Sequence, residues 1–257
     1  MKKIEQLFSL QGKTALVTGG GTGLGKDFAL TLSAAGASVI LAARRVEKLR
    51  ETAAMIEQQG GKALTIAMDV TDAGSVQHAF AQLGDVTPDI LVNNAGIIGT
   101  PSLLDMTEAE WNQILATNLT GSWLVAKAFV LALIAAKRPG SIINIASLLA
   151  VSAQKGTGPY AASKAGILQL TRSMAIEWAR YGINVNAIMP GYYATDIAED
   201  FLHTAAGQQL VKRVPLRRLG NTADLRGAIL LLASPASSYM TGSVITVDGG
   251  HSMPQPL

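Results

Sequence analysis

The chain has 257 residues, 49% of them hydrophobic and 15% charged, which supplies apolar mass for a sizeable core and argues against disorder. Its 21 Lys and Arg against 18 Asp and Glu leave a net charge of only +3, and the basic residues fall in short pairs such as Arg44-Arg45 and Arg217-Arg218, so nucleic acid is not an expected partner. The absence of cysteine excludes disulfides, thiolate metal sites and cysteine nucleophiles, and the scattered His78, His203 and His251 give no ligand spacing, so no metal is expected. A cysteine-free chain fits a reducing compartment, and the expected location is the cytoplasm.

In chain order, Met1 to Gln11 carries two lysines without a long apolar run, unlike a signal peptide. A strand is predicted at Thr14–Val17, then a helix at Leu24–Ala35, a strand at Ser38–Ala42 and a helix at Val46–Gln59. The next pairs are the strand Ala63–Met68 with the helix Ala73–Leu83, and the strand Ile90–Val92 with a helical stretch Glu108–Ala136, broken near Gly121. The strand Ser141–Ile145, the helix Tyr160–Tyr181, the strand Asn184–Ile188, the helix Ala223–Leu232 and a last strand Val244–Val247 follow. The most apolar stretch, Trp123 to Ala136, is interrupted by Lys127 and falls short of the roughly 20 residues that a bilayer needs, so it reads as a buried or interface helix and no membrane is expected. Near-continuous apolar strands alternating with helices imply a parallel sheet of about seven strands, the first six read as buried, with helices on both faces. No linker or repeat interrupts this pattern, so residues 1–257 read as one domain. The segment Gly191–Gly220 has no clear core period and is the expected cover over a site.

The run Thr18-Gly19-Gly20-Gly21-Thr22-Gly23-Leu24-Gly25 follows the first strand and opens the first helix. Glycines there permit a tight turn and bring backbone N–H groups close to a pyrophosphate, and the helix N-terminus adds partial positive charge. The placement makes this a dinucleotide site of the Rossmann-type doubly wound fold, with Gly19, Thr22, Gly23, Leu24 and Gly25 as contacts. The second strand discriminates between cofactors. No acid lies between Asp27 and Glu47 to take ribose hydroxyls, and the strand ends at Ala43-Arg44-Arg45. A guanidinium at Arg44 pairs with a 2′-phosphate, so NADP(H) is favoured over NAD(H).

Ligands bind at the carboxyl ends of strands in open parallel sheets, so Gly19, Asn93 and Ser147 should line one edge. Tyr160 and Lys164 are four apart and share a helix face. A free phenol, with pKa near ~10, is a poor base at neutral pH, but a neighbouring ammonium favours the phenolate and should tune the pair toward physiological pH. Ser147 is placed to hold a substrate oxygen beside the phenol.

The ordered set of Thr18–Gly25, Asp69, Asn93–Gly96, Asn118, Ser147, Tyr160, Lys164, Pro190-Gly191 with Thr195, and Asp248-Gly249-Gly250 resembles the short-chain dehydrogenase/reductase superfamily over essentially the whole chain. The resemblance implies roles. Tyr160 is the proton donor in carbonyl reduction and the base in oxidation. Lys164 lowers the tyrosine pKa and holds the nicotinamide ribose, while Ser147 orients the substrate oxygen. Asn118 bends its helix and anchors a water relay. Asp69 and Val70 contact adenine, Asn93 stabilises the strand end, and Thr195 meets the carboxamide. Asn94, Ala95, Gly96, Pro190 and Gly191 complete the cofactor contacts, with a purely conformational reading open for Asn94, Ala95 and Gly96. Asp248-Gly249-Gly250 reads as a structural turn. Hydride then reaches the carbonyl carbon from the B face of the nicotinamide, without a metal.

Substrate signals are thinner. Leu148, Leu149, Ala150 and Val151 suggest an apolar lining, and Tyr192 and Tyr193, at the start of the cover, supply aromatic contact or a hydroxyl, or simply pack the cover down. An apolar or mixed ketone is the first expectation. A 3-oxoacyl thioester reductase serving an acyl carrier protein is an alternative, weakened by Ile176 where a carrier-binding arginine is expected, with Lys137 and Arg138 in partial compensation. A gluconate or polyol dehydrogenase is the other, on the likeness of Leu7 to Lys13 and Pro190 to Asp196 to such enzymes. A dinucleotide sensor without catalysis is the remote alternative, disfavoured by the presence of Ser147, Tyr160 and Lys164. The long helices around Trp111–Ala136 and Tyr160–Tyr181 are expected to build a homotetramer.

Overall fold

The computed structural model describes residues 4–99, 102–193 and 204–253. Its strands are β1 (Thr14–Thr18), β2 (Ser38–Ala43), β3 (Lys62–Ala67), β4 (Ile90–Asn93), β5 (Gly140–Ile145), β6 (Ile183–Pro190) and β7 (Val244–Val247). All pair in parallel in the order β3-β2-β1-β4-β5-β6-β7. The helices are α1 (Ile4–Phe8), α2 (Gly23–Ala34), α3 (Val46–Gln58), α4 (Ala73–Gln82), α5 (Glu108–Leu115), α6 (Gly121–Ala136), α7 (Gly158–Trp178), α8 (Ala205–Arg213) and α9 (Arg226–Ala233).

Side-chain alternation along the strands divides the core between the two faces. Ala15, Val17, Val39 and Leu41 point to one side and pack with Phe28 and Leu32 of α2, Leu49 and Ile56 of α3, and Ile229 and Leu232 of α9. Leu16, Ile40, Leu91 and Ile142 point to the other and meet Val76 of α4, Val125 and Phe129 of α6, and Met174 of α7. The two periodicities agree with each other, which is why the sheet carries helices on both faces.

Chain order reverses direction between β1 and β4. β1 leads outward to β2 and β3 on one side, and the later strands continue on the other. The connections leaving β1 and β4 therefore diverge and open a crevice at their carboxyl ends.

Three expectations need correction. β3 is not a buried strand, because it closes the sheet as an edge and exposes Lys62, Leu64 and Ala67. The other edge, β7, is only partly buried. The helix through the apolar stretch keeps its expected bounds but is continuous. A π-helical turn at Ala116–Thr120 joins α5 to α6, so Glu108–Ala136 runs as 29 continuous residues, long and apolar enough to cross a membrane. Its inner side, with Val125, Ala126, Phe129 and Leu133, is packed into the core. A break at Gly121 does not occur. The residue lies at the π-to-α junction, where a Cβ would stand 2.8 Å from Val70 Cγ2. Finally, α1 and α8 had no counterpart in the predicted elements, α1 because five residues carry no readable period.

Candidate active site

The turn after β1 is shaped by two glycines that nothing else can replace. Gly19 adopts φ +66°, and a Cβ on Gly25 would lie 2.2 Å from the Gly19 carbonyl oxygen and 2.5 Å from Asn94 Nδ2. Gly23 also has positive φ, at +53°. Thr22 is the N-cap of α2 but makes no side-chain capping hydrogen bond, so the first-turn N–H groups remain open to a ligand. Gly19, Thr22, Leu24 and Gly25 line a cavity of about 560 Å³ along the crevice. The close backbone approach and the uncapped helix fit a pyrophosphate.

Thr18 knots the walls of the crevice. Its Oγ1 accepts hydrogen bonds from the N–H groups of Asn94 and Ala95, each at 3.0 Å, and donates to the Val92 carbonyl. Asn94 Nδ2 donates back to the Thr18 carbonyl at 3.0 Å. Asn94, Ala95 and Gly96 are therefore conformational as well as cavity-lining. One position back, Asn93 is buried at the end of β4 and donates from Nδ2 to Ser122 O and to Asn144 Oδ1, each at 3.0 Å.

One end of the cavity is lined by Arg44, Arg45 and Lys48, with Asp69, Val70 and Thr71 opposite. Burial alone would raise the Asp69 carboxyl. Hydrogen bonds from the Thr71 hydroxyl at 2.7 Å and the Thr71 N–H at 2.9 Å outweigh it, aided by Arg44, and hold the group below its usual value. Lys48 pairs with Glu51, whereas Arg44 and Arg45 have no carboxylate within 4.0 Å among the described residues.

At the other end stand Ile145, Ser147, Tyr160, Lys164, Pro190 and Gly191. Ser147 precedes a short 3-10 turn, and its Oγ accepts the Leu149 N–H at 3.2 Å. Tyr160 and Lys164 lie on the first turns of α7, with Lys164 Nζ 5.7 Å from the Tyr160 ring centroid. Nζ donates to the Ile145 carbonyl at 2.7 Å. Burial pulls the Lys164 ammonium down to about 8. Burial also pushes the Tyr160 phenol up, opposed by its hydrogen bond with Ser147. The expected downward tuning by the ammonium is thus absent from the protein alone, because desolvation outweighs the Ser147 hydrogen bond that opposes it. A phenol so raised keeps its proton at neutral pH, which suits a proton donor.

Asn118 is fully buried in the π-helical turn. Its Oδ1 accepts the Ile97 N–H at 2.8 Å, and its Nδ2 donates to Ile97 O at 2.9 Å and to Ser163 Oγ at 3.0 Å. Ser163 in turn donates to the Tyr160 carbonyl at 2.7 Å. The asparagine amide therefore clips the loop after β4 to the helix that carries Tyr160 and Lys164. The Asn118 carbonyl accepts from Ser122 Oγ at 2.9 Å.

The expected substrate contacts change most. Leu149 is buried in its 3-10 turn and is not on the cavity wall, while Val151 is exposed, so the stretch after Ser147 is not an apolar lining. Tyr193 takes the packing alternative. Its hydroxyl donates to Val247 O at 2.8 Å, its ring packs against the core, and burial raises its phenol strongly. Tyr192, by contrast, hydrogen-bonds Gln154 and stands edge-on to His251, with ring centroids 5.3 Å apart. Gly191 is required where it is, since a Cβ would lie 2.7 Å from Asp248 Cα. Asp248 Oδ1 and Oδ2 accept from the Gly250 and Ser252 N–H groups, which makes the Asp248-Gly249-Gly250 run the structural turn anticipated. Thr195, and residues 194–203 of the expected cover, lie outside the described residues.

Sequence reasoning missed Ser163 and Gln154 and gave Thr18 no role of its own. Thr18 stood inside the glycine run, and its two amide partners lie 76 and 77 residues away. Ser163 had a readable signal, a small hydroxyl three residues after Tyr160 on a helix turn, where Ser can bond the preceding carbonyl. Gln154 had none.

A family profile described as enoyl-(acyl carrier protein) reductase matches residues 19–252. The gluconate 5-dehydrogenase of Gluconobacter oxydans is 38% identical over 247 residues, covering 95% of this chain and 96% of that protein. The 3-oxoacyl-(acyl-carrier-protein) reductase of Vibrio harveyi is also 38% identical over 247 residues, covering 95% and 99%. A crystal structure of a gluconate 5-dehydrogenase from Burkholderia cenocepacia J2315, in complex with NADP and tartrate, superposes with a TM-score of 0.93 at 36% identity, covering 98% of this chain and all of that one. The chain belongs to the short-chain dehydrogenase/reductase superfamily. It is an oxidoreductase that interconverts a ketone and a secondary alcohol with a nicotinamide dinucleotide.

Gly25→Ala tests the pyrophosphate turn. Its Cβ must displace backbone at Gly19, so NADPH affinity measured by fluorescence titration should fall at least ~10-fold with the far-ultraviolet spectrum unchanged. Undiminished affinity would show that the turn does not cradle phosphate.

Proposed function

We propose that this enzyme is an NADP(H)-dependent ketone reductase and secondary-alcohol dehydrogenase whose acid–base group is Tyr160. The observation carrying the cofactor preference is the cavity end lined by Arg44, Arg45 and Lys48, with no acid at the end of β2. A 2′-phosphate there meets guanidinium groups with no carboxylate within 4.0 Å among the described residues, whereas ribose hydroxyls find no acid on β2. NADP in the solved Burkholderia relative supports the same reading.

A bound nicotinamide supplies hydride to the carbonyl carbon, or takes it from the alcohol. The chain's own groups handle the proton. The Tyr160 phenol donates to the carbonyl oxygen in reduction, and its phenolate accepts the alcohol proton in oxidation. Ser147 holds the oxygen beside the phenol, and its hydrogen bond with Tyr160 stabilises negative charge as it develops. Lys164, positive below about pH 8, offers N–H groups toward the ribose. Asn118 positions α7 through Ser163. Residues 1–257 act as one dinucleotide-binding unit, with 191–220 as the cover and the substrate entering beside it.

A homotetramer is the proposed assembly. Trp111, Trp123, Leu131 and Ile134 are exposed along the helical rod and Ile176 on α7, an apolar surface suited to other copies of the chain.

Three measurements check these readings. Arg44→Ala should raise the KM for NADPH roughly 10-fold and leave that for NADH within about twofold, since a charge-assisted contact contributes ~1.5–3 kcal/mol. A wild-type preference for NADH would overturn the assignment. Tyr160→Phe should lower kcat at least ~100-fold while NADPH still binds, and wild-type kcat/KM for reduction should be level below pH 8 and fall above it as Lys164 loses its charge. A profile that rises through pH 8 removes the ammonium from the mechanism. Sedimentation velocity at micromolar concentration should show a tetramer, and a monomer alone would refute the assembly.

A further inference from the structure

Beyond the reacting groups, three separate segments converge on Tyr192, the residue after Gly191 of the cavity that holds Tyr160. Gln154 comes from the loop between β5 and α7, Tyr192 follows β6, and His251 follows β7. The Tyr192 hydroxyl donates to Gln154 Oε1, so a hydrogen bond bridges the loops that leave two neighbouring strands. Both backbones are pinned. The Gln154 carbonyl accepts from Thr157 N at 3.3 Å and Thr157 Oγ1 at 2.8 Å, and the Tyr192 carbonyl accepts from Gly220 N at 2.9 Å. The His251 ring stands at 60° to the Tyr192 ring, an edge-on contact that fixes where the hydroxyl points. Tyr192 feels its surroundings. Burial raises its phenol, Tyr160 adds to the rise, and Arg213 opposes it, so the phenol shares a field with both the proton donor and a guanidinium.

The bridge leaves unused bonding capacity of one kind. Gln154 is exposed, and its Nε2 carries N–H groups with no protein acceptor among the described residues. The Tyr192 oxygen retains lone-pair capacity after donating its proton. Donors and an acceptor set next to Gly191, at the edge of the Tyr160 cavity, match a substrate bearing hydroxyls and carboxylate oxygens. An apolar ketone would cover these groups without replacing their water bonds. The buried Leu149 provides no competing apolar wall.

We infer that Gln154 and Tyr192 form the specificity wall of this site, selecting a small polyhydroxylated keto acid, with His251 as the positioning residue that holds the Tyr192 ring. This rests on the ketone reductase reading with Tyr160 as proton donor and names its substrate class.

The test compares 5-dehydro-D-gluconate with cyclohexanone, using NADPH consumption by the full-length enzyme and an independent NADPH titration. Wild type should favour the hydroxylated acid in kcat/KM. Gln154→Ala and Tyr192→Phe should each cut that preference roughly tenfold, mainly through KM for the acid, as expected for loss of a hydrogen bond to an ionised or hydroxyl group. His251→Ala should cut it similarly, and His251→Phe, which keeps a ring edge, should restore most of it. A wild-type preference for cyclohexanone overturns the inference alone, as do variants that slow both substrates equally. Failure to reduce either carbonyl while NADPH binds would overturn the underlying reading and this inference with it.

Discussion

The knot at Thr18 is the constraint on which the site depends. The crevice exists because the chain runs outward from β1 on one side and from β4 on the other, and such a parting of strands would widen without a tie. One hydroxyl closes it by accepting two backbone N–H groups from the β4 exit, while Asn94 returns a hydrogen bond to the β1 exit. The glycines follow from that closeness. Gly19 and Gly25 lack side chains because Asn94 and the Gly19 carbonyl already fill the space. A phosphate-binding surface made of backbone is thus a consequence of tying two strand ends together.

A second chain of hydrogen bonds carries this order to the chemistry. Asn118 grips the backbone of Ile97, just beyond the Asn94 to Gly96 turn, and reaches Ser163 on α7. The π-helical turn makes room for it, since the extra residue in that turn puts a buried amide where a regular helix would present the next side chain. Tyr160 and Lys164 are therefore indexed to the cofactor floor through buried groups. The same burial sets their acidities. Lys164 is stripped of water and loses its charge above about pH 8, and Tyr160 keeps its proton, so the ligand-free protein is poised as a donor rather than as a base.

Most of the fold was legible because its signals are local and repeated. Seven apolar runs set between helical periods imply a parallel sheet, and the run from Thr18 to Gly25 announces its phosphate turn. Signals failed where tertiary context decides. Lys62 to Ala67 reads like any core strand, and only its place at the sheet edge exposes it. Gly121 looks like a helix break, but it is the contact point for Val70. Tyr160 and Lys164 were readable as a pair, yet the direction of their shifts was not, since spacing reports proximity and says nothing about lost hydration. Leu149 reads as a cavity residue yet is buried, because hydrophobicity does not reveal whether a residue faces a cavity or the core.

The two halves of the site are built by different means, and this separates what the fold imposes from what it leaves open. The cofactor floor is backbone held by glycines, Thr18 and Asn94, where few side chains can vary without collision. The substrate side is made of side chains at the ends of three loops, each pinned by its own backbone bonds and free to carry other residues. Gln154 can be exchanged without disturbing the Thr157 contacts, which use its carbonyl, and Tyr192 without disturbing Gly220, which uses its backbone too. One scaffold can therefore keep hydride and proton transfer constant while its carbonyl substrate changes. That is why the reaction is written in the motifs, and the substrate is written in the contact between Tyr192 and Gln154, which lie 38 residues apart.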